Sequence, residues 1–356
     1  MTPPFISFQG GNQAGVPLEG SVAHIENSLR QNLGIWISPQ ELAQLPTSGP
    51  AWENLLRAAN QAVHKPDLSD QNDDTNVIIL AKALVYARLQ QEQHRHEVVA
   101  ALRAIISENS EQGGRSLALG RELLAYVIAA DLIDLRKHNA ALDNKFRNRL
   151  AELRAKTLKG RTLISTHEER ANNWGTHAGA SRIAIAAYLQ DEPELKRCAQ
   201  VFRGWLGERE TYAGFKFGDL IWQADSTQPV GINPKGAQRN GHVIDGVLPE
   251  EQRRAGGFMW PPQKENYVYE ALQGALAQAV LLHRAGYDVW HWSDRALLRA
   301  FQWLYEEAHF PARGDDAWLV YLINHFYHTD FQTTPTTTPG KNAGWTDWTH
   351  GQSTSP

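Results

Sequence analysis

The stretch VIILAKALVYARL, residues 77–89, repeats apolar side chains at spacings of three and four residues. That spacing puts them on one face of an α-helix, which needs a neighbouring helix to cover it. The same pattern recurs on both sides along the chain, in stripes that begin at Trp52, Val98, Leu123, Leu150 and Ile183. No alternation of strands with helices interrupts it. The sequence therefore predicts an all-α protein.

Helical hairpins without a fixed repeat length are typical of toroids in which inner and outer helices surround a cleft. We therefore predict an (α/α) toroid, an incomplete barrel of antiparallel helical hairpins, as a single domain over residues 1–356. Residues 208–265 are rich in Gly, Pro, Asn and Trp and predict a long loop region that lines the cleft. Residues 329–356 predict an irregular C-terminal tail, in which the aromatic segment GWTDWTH is expected to dock.

The composition argues against two classes of binding partner, nucleic acids and membranes. The formal net charge of −4 argues against a nucleic-acid-binding surface, and no apolar run is long enough to span a membrane. We expect a monomer that contacts neither. The start of the sequence, MTPPFISFQGGNQAG, lacks the basic and apolar regions of a secretory signal. A periplasmic or secreted location is favoured if a signal peptide was trimmed, and a cytoplasmic one if Met1 is native.

Metal-binding patterns are weak in this sequence. Cys198 is the single cysteine, and the pair His325 and His328 has no third ligand close in sequence. We expect no cofactor, while a structural calcium ion stays open.

Three polar segments could carry chemistry. In the first, Asn172, Asn173, Trp174 and His177 lie at the start of a predicted helix, and Arg170, Asn173 and His177 would share a face if the helix began earlier. The second lies on the long loop and offers cationic and aromatic groups: Trp222, Lys235, Arg239, His242, Arg253 and Arg254. The third contains Tyr267 and Tyr269, which cannot both face the core of one helix.

A site that contains Asn, His, Arg and Tyr side chains but no paired acids is suited to β-elimination at a uronate. Its C6 carboxylate makes the removal of H5 difficult, and amide or guanidinium donors that share the carboxylate charge stabilise the intermediate. A tyrosinate or neutral histidine can then take H5, and a tyrosine can protonate the departing O4. When H5 and O4 lie on the same face of the ring, one tyrosine can do both.

Two of these segments resemble motifs of the alginate lyase family. Its Asn-Asn-His-x-x-Trp motif is similar to Asn172–His177, with the His and Trp positions exchanged, and its Tyr-His-x-x-Ala-Leu motif is similar to Tyr267–Leu272. The segment Asp245–Glu250 looks like the family's Asp-Gly stretch before its arginine. Trp36 and Trp52 look like parts of its first helices. The exchanged motif suggests a divergent branch, similar to glucuronan or alginate lyases.

The resemblance implies catalytic roles for Tyr267, Asn173, His177 and an arginine, for which Arg254, Arg253 and Arg239 are rivals. It implies substrate contacts from the remaining candidates: Asn172, Trp174, Arg239, His242, Arg253, Lys235, Tyr269 and Trp222. The expected substrate is a β-1,4-linked uronan, either the mannuronan of alginate or glucuronan. These two share their configuration at C4 and C5, so both suit syn elimination.

Two other functions compete with this interpretation. A glycoside hydrolase on a helical toroid would use paired carboxylates, for which Asp73, Asp74, Asp225 and Asp245 are candidates. The pair Asp73 and Asp74 also suits a helix N terminus. A noncatalytic protein that binds acidic sugars would use the aromatic and polar groups for recognition alone.

Overall fold

The structure is a computed structural model that describes residues 34–334 and 338–351. It is mostly helical, which confirms the predicted all-α class. The helices are α1 (Pro39–Gln44), α2 (Pro50–Ala59), α3 (Thr75–Leu89), α4 (Glu92–Ser107), α5 (Ser116–Leu132), α6 (Leu135–His138), α7 (Ala140–Ala155), α8 (Leu163–Glu169), α9 (Asn173–Leu189), α10 (Glu192–Leu206), α11 (Pro249–Gln252), α12 (Val268–Arg284), α13 (Trp292–Gln302), α14 (Trp318–Tyr327) and α15 (Thr346–Thr349). Short 3₁₀ turns cover Arg253–Ala255, Val289–His291 and Gly314–Asp316, and a π-helical turn covers Trp303–Glu307.

Local capping interactions start the first helix. Ser38 caps α1 by accepting a hydrogen bond from the Glu41 amide at 3.1 Å, and Glu41 accepts one from the Ser38 amide at 2.7 Å. Pro39 at the first helical position loses no hydrogen bond, because that amide has no partner within the helix. This reciprocal capping box satisfies two amides at the helix end.

The helices fall into two groups by how much of their surface is buried. Nearly every residue of α3, α5, α9 and α12 is buried, which is expected of helices that are covered on all sides. In contrast, α4, α7 and α10 bury a single face. Inner helices and one-faced outer helices are what the toroid prediction requires, and the toroid itself stays a prediction.

Small residues let the inner helices approach closely. A β-carbon on Gly120 of α5 would lie 2.8 Å from the backbone nitrogen of Ala178 in α9. On the other side of α9, the Gln278 amide of α12 donates a hydrogen bond to the Thr176 carbonyl at 2.8 Å. The N-terminal ends of α9 and α12 are thereby held side by side, and they carry the residues discussed below.

The region 208–265 contains little regular structure. Its short antiparallel hairpin pairs β1 (Gln238–Arg239) with β2 (His242–Val243), and α11 follows. An ion pair from Asp245 to Arg299 anchors the hairpin to α13.

Near the C terminus, Trp345 and Trp348 of the segment GWTDWTH are buried. The Trp348 indole donates to the Pro46 carbonyl at 2.9 Å, so the segment containing α15 packs against the region between α1 and α2. Within the part of the chain that the structure describes, no helix is long and apolar enough to cross a membrane. The predictions about the first residues, including the missing signal, lie outside the described residues.

Candidate active site

The site begins where α9 starts. The sequence allowed one helix to carry Arg170, Asn173 and His177, and this is wrong, because α8 ends at Glu169 and α9 begins at Asn173. Arg170 and Asn172 between them have extended backbones. These extended backbones break the helix, although the Asn172 side chain makes no capping hydrogen bond. Asn173 and His177 remain one turn apart on α9.

A buried carboxylate links α9 to the loop region. Glu251 in α11 is 1% exposed and accepts a hydrogen bond from the backbone amide of Asn173. Its other oxygen accepts one from the Arg254 guanidinium at 3.1 Å. Burial raises the pKa of Glu251 to about 7, against the lowering effects of the Asn173 amide and Arg254. Glu251 was missed at the sequence level, because nothing distinguishes it there from a solvated acid.

Arg254 also contacts the residue that precedes α12. Its guanidinium carbon lies 4.0 Å from the centre of the Tyr267 ring, within the range of a cation–π interaction. Tyr267 is 43% exposed and Tyr269 is 3% exposed, as expected for two tyrosines that cannot share the core. Tyr267, Arg254, Glu251 and Asn173 therefore form one continuous chain of contacts.

His177 lies one turn along α9 from Asn173 and is fully buried. Its Nε2 atom is 3.8 Å from a carboxylate oxygen of Glu270, which is too long for a hydrogen bond, and Glu270 also pairs with Arg121 of α5. Burial lowers the pKa of His177 to about 4, helped by Arg121 and opposed by Glu270. Burial alone would raise the pKa of Glu270, but His177 and Arg121 bring it below its usual value. The imidazole is therefore neutral at pH 7.

Several polar atoms around the start of α9 are buried without a hydrogen-bond partner among the described residues. They are Asn172 Oδ1, Asn173 Oδ1, both ring nitrogens of His177, Arg170 Nε and Gln252 Oε1. Buried polar groups usually find partners, so a cluster of unpaired ones marks a place where a polar ligand or water completes the bonding. This cluster adjoins the chain from Asn173 to Tyr267.

Comparison with known proteins bears on this site. The alginate lyase family model matches residues 76–211. This stretch of the chain is an alginate lyase family domain. The domain supports polysaccharide lyase activity in general, and the family implies an acidic polysaccharide as the substrate. The matched stretch contains Asn172–His177, whereas Tyr267 and Arg254 lie beyond it. No curated protein matches the chain.

The remaining candidates on the loop form a second group. The His242 and Trp260 rings stack with their centres 4.6 Å apart, and the Arg239 guanidinium lies 5.6 Å from the centre of the Phe258 ring. Lys235 is exposed near the hairpin. Trp260 and Phe258 were not singled out from the sequence, because aromatic residues in a loop also serve as packing.

Four other candidates have contacts that define their surroundings. Trp222 is 1% exposed and packs between Phe258 and Trp303, and the Tyr269 hydroxyl donates to the Phe310 carbonyl at 2.6 Å. Neighbouring rings enclose Trp222 and the Tyr269 hydroxyl is already bonded, so the site proposed below leaves both residues out. Arg253 pairs with Glu250. The half-buried Trp174 ring lies 5.5 Å from the Arg170 guanidinium.

Three of the four carboxylates considered for a hydrolase are occupied by local structure, and the fourth, Asp74, is the N-cap residue of α3 without a side-chain capping bond. Asp73 accepts hydrogen bonds from the amide and hydroxyl of Thr75 at the start of α3. Asp225 caps a turn through Thr227, and Asp245 pairs with Arg299. These contacts give the acids structural roles in three separate places. Paired catalytic carboxylates would instead face each other across a cleft.

Among residues 34–334 and 338–351, no group of three or more His, Cys, Asp or Glu side chains could hold a metal ion. The expectation about cofactors stays a prediction.

A cavity of about 650 Å³ opens at the C-terminal ends of α5, α9 and α12, lined in part by Asp131, Tyr188 and Arg284. None of the predicted site residues lines it. We place the candidate site at the opposite ends of these helices, where the unpaired polar atoms lie.

Proposed function

We propose that the chain cleaves β-1,4-linked uronans, mannuronan or glucuronan, by syn β-elimination. The observation that carries the proposal is the chain of contacts from Asn173 through Glu251 and Arg254 to Tyr267. It brings an amide, a cation and an accessible phenol from separate parts of the sequence to one place. Together these groups can stabilise the charge on the uronate carboxylate and transfer the proton, which are the two requirements of elimination at a uronate.

In the proposed reaction, Tyr267 is the catalytic acid and base. As the phenolate, its oxygen removes H5, and the electron pair of the C5–H5 bond becomes the C4–C5 double bond. The C4–O4 bond breaks, and the same hydroxyl returns the proton to the departing O4. Arg254 and the Asn173 side chain would share the charge on the C6 carboxylate while H5 is removed.

We assign His177 an indirect role. A general base must come within hydrogen-bond reach of the proton it removes, and the fully buried imidazole faces Glu270 rather than solvent. His177 instead occupies the space below Asn173 and helps to set the position of Glu270. Among the described residues, this leaves the exposed Tyr267 as the better base.

Contacts outside the catalytic group would bind neighbouring sugars. The stacked pair His242 and Trp260, with Arg239 beside Phe258, offers flat apolar surface next to positive charge. A uronate needs both, because its ring has an apolar face and its C6 group is anionic.

Incubation with polymannuronate, polyguluronate and glucuronan tests the proposal. A lyase leaves a 4,5-unsaturated uronyl end that absorbs in the ultraviolet, and we expect this signal on mannuronan or glucuronan. Reducing ends without the absorbance would indicate a hydrolase. An intact polymer in all three incubations would reject catalysis on uronans.

A further inference from the structure

Helix α11 contains two successive glutamates with matched surroundings. Glu250 pairs with Arg253 at 2.5 Å, and Glu251 pairs with Arg254 at 3.1 Å, each with the arginine three residues ahead. Their second contacts differ. Glu250 accepts a hydrogen bond from the Gly218 amide at 2.9 Å, within the loop region, whereas Glu251 accepts one from the Asn173 amide. Only the second pair reaches the candidate site.

Glu251 also determines where α11 lies relative to Tyr267. Its backbone carbonyl accepts a hydrogen bond from the side-chain amide of Asn266 at 3.2 Å, one residue before Tyr267. Next to it, the Gln252 amide donates to the Lys264 carbonyl at 2.9 Å. The segment leading into Tyr267 is thus tied to α11 by two hydrogen bonds, and α11 is tied to the start of α9 by the Glu251 carboxylate.

The charges around this carboxylate come from few groups. Arg254 attracts it, Glu250 repels it, and the Asn173 amide at the positive end of α9 binds it. A charge-assisted hydrogen bond between a buried carboxylate and a guanidinium fixes the position of the guanidinium more closely than solvent contacts would. The Arg254 guanidinium, 32% exposed as a side chain, is therefore held on the Tyr267 ring from the buried side.

We propose that Glu251 is a positioning residue that holds Arg254 against Tyr267 and fixes Asn173 at the start of α9. Its effect on catalysis rests on the proposed function, because Tyr267 and Arg254 must be the reacting groups for their placement to matter. Its effect on the positions of Arg254 and Asn173 does not depend on the proposed function.

The test compares Glu251→Gln with Glu250→Gln. The amide of Glu251→Gln keeps the side chain's shape and can still accept the Asn173 hydrogen bond, but it loses the charge that holds Arg254. We expect kcat on the active uronan to fall about 10- to 100-fold with a smaller change in KM, since misplaced groups act on the chemical step. Glu250→Gln should keep kcat within about twofold, because its arginine does not contact Tyr267.

Two further measurements separate positioning from folding. Thermal unfolding above pH 7 should show that Glu251→Gln is at least as stable as Glu250→Gln. Burial disfavours the ionised carboxylate that Glu251 would carry at this pH, and glutamine has no such charge. A crystal structure of Glu251→Gln should find the Arg254 guanidinium away from the Tyr267 ring.

Arg254 unmoved in that structure would overturn the proposal, and so would full activity in Glu251→Gln or equal losses in both variants. If the wild type cleaves no uronan, the proposed function fails, and the crystal structure still decides whether Glu251 positions Arg254.

Discussion

Gly274 of α12 lies directly against the backbone of His177 in α9. A β-carbon at Gly274 would fall 2.5 Å from the His177 nitrogen and 2.4 Å from the preceding Thr176 carbonyl carbon. Such distances force the two helices apart, because neither backbone can move independently. The spacing between the ends that carry Asn173 and Tyr267 thus depends on the absence of a single methyl group.

Gly274→Ala is therefore expected to lower the free energy of unfolding by about 1–3 kcal/mol, the usual cost of overpacking a core. It should also reduce kcat, since Asn173 begins one of the helices that separate and Tyr267 immediately precedes the other. Urea unfolding and lyase assays measure both. Gly257→Ala is the control, because only the Ile221 side chain comes within 3.9 Å of its β-carbon. A fully stable Gly274→Ala would contradict the close crossing.

Tyr267→Phe should lose activity by about 10²- to 10⁴-fold, the range for removing a general acid or base. Its stability should stay near that of the wild type, because the hydroxyl is on an exposed ring. Tyr269→Phe makes the same chemical change at a buried tyrosine. It should keep its activity and lose about 1 kcal/mol through the hydrogen bond to Phe310. If Tyr269→Phe lost activity and Tyr267→Phe kept it, the assignment of catalysis to Tyr267 would be wrong.

Arg254→Lys should reduce kcat about 10- to 100-fold even though the charge is kept. A lysine ammonium is a point charge and cannot both stack on the Tyr267 ring and bind Glu251 as the planar guanidinium does. Arg253→Lys, in which the paired residue is Glu250, should change kcat little. Initial rates at saturating substrate distinguish them, and similar rates for both variants would rule out a special role for Arg254.

His177 should make the stability of the protein sensitive to acid. Its pKa is about 4 in the folded protein and about 6.5 in the unfolded chain, so the unfolded chain takes up a proton first as the pH falls. The stability from this group is fully present above pH 6.5 and is lost as the pH drops through 4, about 3 kcal/mol in all. Urea unfolding of His177→Gln should show a correspondingly smaller fall over this range. Parallel pH profiles for the two proteins would argue against a neutral buried imidazole.

Much of the fold could be predicted because its signals are local. The cap at Ser38 and the apolar stripes of the outer helices depend on neighbouring residues only. The inner helices are harder, since a helix buried on all sides has no polar face to reveal its orientation. The helix break at Arg170 was missed for a related reason: the face shared by Arg170 and His177 is a property of an ideal helix, and Asn172 ends that regularity.

The sequence predicted which residue types form the site better than it predicted how those residues are arranged in space. Tyr267, Asn173 and Arg254 could be proposed from motifs, but Glu251 connects them only after residues far apart in sequence have folded together. The sequence did indicate that Glu270 lies near Tyr267, because it follows Tyr267 by one helical turn and the two side chains can share a face of the helix. Its contact with Arg121 in α5 is a tertiary one, which no spacing within one segment could reveal.

The docking of α15 joins distant parts of the described chain into one cooperative structure. The Trp348 ring lies 5.3 Å from that of Trp52 in α2, and the Trp345 indole donates to the Val77 carbonyl at 3.3 Å in α3. Detaching these two tryptophans would strip the cover from the earliest described helices rather than release a dispensable tail. Proteolytic cleavage before α15 should therefore destabilise the earliest described helices, although the cut itself lies far from them in sequence.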